Sequence, residues 1–307
     1  MSHKPKSLVI GGAGLIGFNL ALFLQRKSEV VILDNFSTSL KRKLPFETIE
    51  KDIRKFRLED IKEDFDCVYY FPGVCASPDL VKFPVDTFEV NVIGLKNVLD
   101  FTSKRGIKIV YASSSEVYGN GYSFETSPLS VTLNERSGYD IGKIAGETLL
   151  LSYARQLGQE YCIVRPFNVY GPFQYRIGVV SNFIVNAIQN KPLTVYGSGK
   201  QIRTLTYVKD ASEMIALASD YSGVFNIAGE EAVTINELAE KIIKIAGSES
   251  KIIKTPLPYS EVTLRVGDNE KIKSLGFNNF TPLEKGLEET IRWYRENEIF
   301  SLIGYRG

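Results

Sequence analysis

The sequence predicts an α/β fold, a doubly wound parallel sheet followed by a smaller α/β lobe, and three observations predict it. Short, nearly continuous apolar runs alternate with amphipathic stretches through the first half, the pattern of parallel strands covered on both faces. A glycine-rich turn, V-I-G-G-A-G-L-I-G (residues 9–17), follows the first run at once and opens a helical pattern. An aspartate, Asp34, closes the second run.

Taken in order, the strand runs are S-L-V-I-G (7–11), V-V-I-L-D (30–34), C-V-Y-Y-F (67–71), I-K-I-V-Y-A-S (107–113) and Y-C-I-V-R-P (161–166). Helical patterns cover 84–104 and 138–157. Beyond Asn168 the rhythm loosens into Gly- and Pro-containing loops, then two more helical patterns, 234–246 and 282–297. Residues 1–166 are therefore expected to form a Rossmann-type dinucleotide-binding domain. Residues 167–307 are expected to be mainly a substrate-binding lobe, with a return to the first domain around 204–229.

Composition narrows the chemistry. With 37 basic and 36 acidic residues the net charge is +1, so no global field draws in nucleic acid or an anionic membrane. No apolar run is long enough to span a bilayer, and the first residues lack signal-peptide character, which predicts a cytoplasmic protein. Cys67, Cys75 and Cys162 are odd in number and far apart, which suits neither a disulfide framework nor a metal site. The single histidine is His3, so a Ser-His-Asp or His-ligated zinc mechanism has no histidine to use. Proton transfer falls to Tyr, Lys, Arg, Glu or Asp.

Gly12, Gly14 and Gly17 satisfy G-x-G-x-x-G, and Gly11, Gly14 and Gly17 satisfy G-x-x-G-x-x-G. Glycines there permit the tight turn and let backbone approach a pyrophosphate at a helix N-terminus. A carboxylate at Asp34 accepts from an adenosine ribose and repels a 2′-phosphate, so NAD is expected over NADP. Lys41, Arg42 and Lys43, just downstream, read as a solvated basic turn.

Y-D-I-G-K (139–143) puts Tyr139 and Lys143 one helical turn apart, where side chains at i and i+4 are neighbours. The other Y-x-x-x-K, Tyr196 to Lys200, falls in a Gly-Ser-Gly turn where that spacing places nothing on a common face. With A-S-S-S-E-V-Y-G (112–119), R-P-F-N-V-Y-G-P (165–172), V-V-S-N-F-I (179–184), P-L-T-V-Y-G-S-G-K-Q-I-R (192–203) and L-R-V-G-D (264–268), the chain resembles the extended short-chain dehydrogenase/reductases that modify nucleotide sugars.

That resemblance implies NAD contacts at Gly11, Gly14, Leu15, Ile16, Gly17, Asp34, Asn35, Asp52 and Ile53. It adds Phe71, Pro72, Gly73, Ser113 and Pro166, with Tyr139 and Lys143 at the nicotinamide end. Tyr139 as phenolate takes the proton of a sugar hydroxyl, a nearby ammonium favouring that form. Ser114 matches a Ser or Thr that hydrogen-bonds the reacting hydroxyl. Asn168, Tyr196 and Arg265 match positions that contact a UDP moiety, with Val180, Phe183 and Gln201 also on the expected substrate side.

Dehydratases of the dTDP-glucose kind carry Asp-Glu where this chain has Ser115-Glu116, so the general acid for water loss is absent from that position. Ser-Ser-Glu-Val-Tyr-Gly is similar to the UDP-glucuronate decarboxylases. Oxidation at C4 of such a sugar makes a β-keto acid, which loses CO2 without a metal if the enolate is stabilised. Glu116 and Arg203 are the candidates near C5 and C6, although a matching arginine in epimerases clamps a phosphate.

Departures weaken the carboxylate assignment. Tyr70-Phe71-Pro72-Gly73 stands where relatives have His-Leu-Ala-Ala, the loop after Gly171-Pro172 is short, and Ala76-Ser77-Pro78 leads into Asp79-Leu80-Val81-Lys82. A UDP-sugar 4-epimerase using the same Tyr139, Lys143 and Ser114 stays open, as do a dehydratase and a regulator that only binds NAD. Val85, Phe88, Val92, Leu95 and Leu99 on one helix, with Leu149, Leu150 and Tyr153 on another, predict a homodimer through a four-helix contact.

Overall fold

The computed structural model describes residues 4–37, 39, 44–57, 61–73, 84–130, 137–175, 178–257 and 262–297. His3, Lys41, Arg42, Lys43, Cys75 and the 76–82 stretch lie outside them.

The chain opens with β1 (Lys6–Ile10), α1 (Leu15–Leu24), β2 (Glu29–Asp34), β3 (Glu47–Glu50) and β4 (Cys67–Tyr70). It continues through α2 (Pro84–Phe88), α3 (Leu95–Arg105), β5 (Lys108–Ala112), β6 (Gly121–Ser123), α4 (Ser137–Leu157) and β7 (Tyr161–Pro166). Next come β8 (Val169–Tyr170), α5 (Val179–Ile188), β9 (Leu193–Tyr196), β10 (Ile202–Thr204), β11 (Thr206–Tyr207), α6 (Val208–Ala218) and β12 (Gly223–Ile227). The last elements are β13 (Ala232–Thr234), α7 (Ile235–Ala246), β14 (Ile252–Thr255), β15 (Leu264–Gly267), α8 (Glu270–Ser274) and α9 (Leu283–Glu296).

Seven strands pair in parallel in the order β3-β2-β1-β4-β5-β7-β12. The apolar runs of β1, β2, β4, β5 and β7 read as continuous because these strands are buried on both faces. Leu8 and Ile10 pack with Val68, Tyr70, Leu99, Ile109 and Tyr111 in one core, whereas Val9 packs with Ile32, Val110, Val164, Met214 and Phe225 in the other. Strand order reverses between β1 and β4, the switch point at which doubly wound sheets hold ligands beyond the strands' carboxyl ends. The sheet's last strand, β12, comes from the second half of the chain, and α6 just before it packs on α1.

A third core joins α5, α7 and α9 through Phe183, Ile184, Leu238, Ile242, Leu287 and Ile291. Helix α7 starts at a reciprocal Thr234–Glu237 cap and stops at Gly247, whose φ of +57° suits glycine. A four-stranded sheet, β13-β10-β15-β6, joins this lobe to the first and sets Arg203 opposite Arg265 in register. No helix among the described residues is long and apolar enough to cross a membrane.

The helix expected over 84–104 is not continuous. A π-helical turn, Glu89–Gly94, separates α2 from α3. The Tyr70 hydroxyl donates to the Val90 carbonyl at 2.6 Å, and Gly94 is pressed so close to Ile53 that a Cβ would lie 2.7 Å from its Cγ2. On the faces expected to dimerise, Leu95, Leu99 and Leu150 are fully buried against the sheet, while Val85 and Phe88 are exposed.

Candidate active site

The glycine turn closes on itself and on β4. Gly11 has φ +74°, and a Cβ there would sit 2.8 Å from the Phe71 carbonyl carbon and from the Pro72 nitrogen. A Cβ on Gly17 would run into the Gly11 carbonyl, so this glycine lets α1 start tight against the loop. Gly14, which caps α1, has only the Gly11 oxygen nearby at 3.4 Å, and no side chain caps the helix or places an acid in its first turn. That leaves α1's leading N–H groups to an anion.

Asp34 organises the same loop. Its Oδ2 accepts from the Ala13 amide at 2.9 Å and its Oδ1 from the Phe36 amide at 2.7 Å. The carboxylate keeps acceptor capacity for a ribose hydroxyl. Burial pushes this carboxyl above its ordinary range, the amides pulling the other way. Asn35 binds Ser37 through Oδ1. Asp52 caps the short 3-10 turn at Ile53–Lys55 and is forked by Arg54, whose guanidinium holds its carboxyl below the usual range. Arg54 reaches on to Asp86 at 2.6 Å and Glu89 at 3.2 Å, and Ile53 is buried beneath them.

At the other end of the switch point, Lys143 is buried, its ammonium donating to the Ala112 carbonyl at 2.8 Å and the Pro72 carbonyl at 3.4 Å. The same ammonium lies 5.7 Å from the centre of the half-buried Tyr139 ring. Lys143 thus clamps α4 to the ends of β4 and β5, beside Gly73 and two residues before Ser114. Ser114 caps a 3-10 turn, Ser115–Tyr118, accepting from the Glu116 amide at 3.1 Å, and Ser115 is buried in it. The Ser113 hydroxyl is buried without a protein partner, a polar group left for a bound molecule to satisfy. Pro166 ends β7 opposite Ile227.

Glu116 pairs with Arg265, Oε1 to Nη1 at 2.5 Å, with Arg265 only 4% exposed and its Nε unpartnered. The sequence reading named Glu116 and Arg203 as candidates near C5 and C6, with a phosphate role open for Arg203, and put Arg265 at the nucleotide; the arginine in contact with Glu116 is Arg265. The Arg203 guanidinium donates to the Val262 carbonyl at 2.6 Å and the Ile202 carbonyl at 3.0 Å. The reason is topological: β15 lies between β10 and β6, so Arg265 rather than Arg203 borders the strand that follows the Glu116 turn.

The substrate-side candidates Val180 and Phe183 lie on α5, where with Ile184 and Ala187 they form an i, i+3, i+4, i+7 stripe whose side chains join the core between α5, α7 and α9. Asn168, at φ +36°, ties its amide to the Thr204 carbonyl at 3.0 Å. Tyr196 is exposed at the end of β9, and Gln201 donates to its carbonyl at 3.1 Å. The sequence reading overlooked Asn91, fully buried in the π-helical turn against Gly142 with neither amide atom bonded, and the ion pair of Glu147 with Arg165. Glu147 one turn past Lys143 on the buried side of α4 was the available signal.

Compared with known proteins, residues 7–228 match the model of the NAD dependent epimerase/dehydratase family. The chain belongs to that family. Similar relatives include the UDP-N-acetyl-alpha-D-glucosaminuronate decarboxylase of Bacillus cytotoxicus, 33% identical over 96% of this chain and 99% of that protein. UDP-glucuronic acid decarboxylase 1 of Arabidopsis thaliana is 36% identical over 95% of this chain and 70% of its own length. Among solved structures, the UDP-glucose 4-epimerase of Thermotoga maritima with UDP-glucose superposes with a TM-score of 0.88 at 26% identity, covering 95% of this chain and 99% of that one. The Thermus thermophilus UDP-glucose 4-epimerase complex with NAD gives 0.86 at 28%, covering 94% and 99%. NAD is the family's cofactor, and the open glycine turn, twice-anchored Asp34 and unpartnered Ser113 hydroxyl fit it.

Proposed function

We propose that this enzyme oxidises C4 of a UDP-hexuronate and decarboxylates it, with UDP-glucuronate the first substrate and UDP-xylose the product. The observation that carries this reading is the Glu116–Arg265 pair, in which a buried β15 guanidinium with an unsatisfied Nε meets the carboxylate of the turn that also holds Ser114. An epimerase needs only the C4 machinery; a carboxylate-bearing sugar that becomes an enolate needs a fixed cation too.

The NAD site comprises Gly11, Gly14, Gly17 and the α1 amides of Leu15 and Ile16 for the pyrophosphate, and Asp34, Asn35, Asp52 and Ile53 for the adenosine. Phe71, Pro72, Gly73, Ser113 and Pro166 line the nicotinamide end. NAD held by these residues would supply the hydride acceptor and donor for C4. Tyr139 removes the C4 hydroxyl proton, Ser114 orients that hydroxyl, and Lys143, held by two carbonyls, stabilises the phenolate. The C5–C6 bond then breaks, CO2 leaves, and its electron pair stays on the sugar as an enolate that Arg265 neutralises. A water polarised by the Glu116–Arg265 pair delivers the C5 proton, the hydroxide left behind combining with the released CO2 as bicarbonate, and Tyr139 gives its proton back to O4. Asn168, Tyr196, Gln201 and Arg203 face the UDP portion.

Incubation with UDP-glucuronate, UDP-N-acetylglucosaminuronate, UDP-glucose and UDP-N-acetylglucosamine, read by product mass and NMR, tests this. Loss of CO2 from either uronate supports it, and the pair distinguishes the substituent at C2. Interconversion of C4-epimeric sugars with no CO2 release installs a 4-epimerase, the reading favoured by the solved structures of similar shape. We further propose a homodimer through α2, the π-helical turn and α4, where Val85, Phe88, Ile93 and Ile141 are exposed. Light scattering at micromolar protein checks it, a monomeric mass being the contrary result.

A further inference from the structure

Glu147, one turn beyond Lys143 on α4, holds Arg165 of β7 by a two-pronged ion pair, Nε to Oε1 at 2.8 Å and Nη2 to Oε2 at 2.6 Å. The third prong, Nη1, donates to the Tyr118 hydroxyl at 2.7 Å, and that hydroxyl donates to Asn226 Oδ1 on β12 at 2.8 Å. Asn226 Nδ2 in turn donates to the Ser123 carbonyl on β6 at 3.0 Å. The Tyr118 ring lies 4.7 Å from the guanidinium and stacks on Phe167. All four side chains are buried.

A pair so desolvated adds little stability over apolar residues of the same volume, because removing both charges from water offsets their attraction. Its placement gives it another use. Tyr118 ends the turn that begins at Ser114 and carries Glu116, and Glu147 shares α4 with Tyr139 and Lys143. Lys143 fastens α4 to β5 near the start of that turn, and the Arg165 fork fastens it at the end. We propose that Arg165 and Tyr118 are positioning residues that lock the Ser114–Glu116 turn to the Tyr139–Lys143 helix, fixing the reacting hydroxyl's partners relative to each other. The proposal rests on the reading that these groups act at C4 of a UDP-sugar.

Tyr118→Phe keeps the ring and removes only the linking hydroxyl. With the sugar that the parent turns over, kcat should fall about tenfold to a hundredfold, the cost of small misplacement of reacting groups. NAD affinity, read by titration, should stay at the parental value. Arg165→Lys keeps a charge opposite Glu147 but loses the fork, so it should show the same kcat loss. The double variant should be no slower than either single one, as for two parts of one unit. A Tyr118→Phe protein with a parental melting curve and parental kcat overturns the proposal. Where that variant fails to fold, Glu147→Met with Arg165→Met, an apolar replacement, decides instead: a folded protein with parental kcat overturns it, and a slow one supports it. A parent that epimerises rather than decarboxylates refutes the functional reading alone, since the same comparison is then made on epimerisation.

Discussion

Replacing Glu116 with Gln separates decarboxylation from the C4 chemistry that precedes it. Glutamine keeps an oxygen to accept from Arg265 Nη1 but loses the charge across that 2.5 Å contact. Leaving the buried Arg265 without its countercharge costs about 3 kcal/mol. In a chain of this size that lowers the melting temperature by roughly 6–12 °C, so a melting curve is recorded before rates are compared. The catalytic cost is separate. Losing one fixed group of an enolate-stabilising site slows its step about 10²-fold, equivalent to about 2.7 kcal/mol of barrier. Tyr139, Lys143 and Ser114 are untouched, so C4 oxidation should continue. Mixed with UDP-glucuronate in a single turnover, the variant should develop NADH absorbance at close to the parental rate and hold it, while CO2 and UDP-xylose emerge late. A folded Glu116→Gln enzyme that releases CO2 at the parental rate would refute the assigned role, whatever the substrate.

Tyr139→Phe retains the ring and the Lys143 packing but removes the proton acceptor, so turnover should drop about 10²- to 10⁴-fold with NAD affinity kept, checked by steady-state assay and cofactor titration. Asp34→Asn should weaken NAD binding about tenfold, as charge-assisted bonds to the ribose become neutral ones, and narrow the preference over NADP; calorimetry reads both. The parent's NAD affinity should fall with acid earlier than for an ordinary aspartate, because burial raises the Asp34 carboxyl and protonation removes its charge. Apo-protein stability moves oppositely at this group: its folded value lies above its unfolded one, so protonation favours the fold as pH falls through that value. Gly17→Ala drives a methyl into the Gly11 carbonyl and should lower both the melting temperature and NAD retention, measured by thermal shift with and without cofactor.

What the sequence made legible follows from burial. β1, β2, β4, β5 and β7 are covered on both faces, so their apolar runs mark them within a residue or two. The edge strand β3, E-T-I-E, has no buried residue and hence no run to recognise. Helix α4 was visible from its motif and α7 from its helical pattern over 234–246. The π-helical turn was not, because it answers to Tyr70 and Ile53, contacts made far away in the sequence. The site divides the same way. Tyr139 with Lys143, and Ser114 with Glu116, are close in sequence and were read together. Arg265 lies 149 residues from Glu116, and only the pairing of β15 with β6 brings them side by side. Val180 and Phe183 sit in a motif shared with relatives, but motif membership does not distinguish a wall of the site from the core behind it.

The position of β12 has a consequence for how this protein is made. The strand that completes the parallel sheet leaves the ribosome only after α5, β9 and β10 of the other lobe. Until then β7 presents a row of unpaired backbone groups from Tyr161 to Pro166, and α1 lacks the helix that covers it. Such an edge is a template for the wrong chain. A fragment cut at residue 166 carries the whole glycine turn on a sheet that stays open at one side.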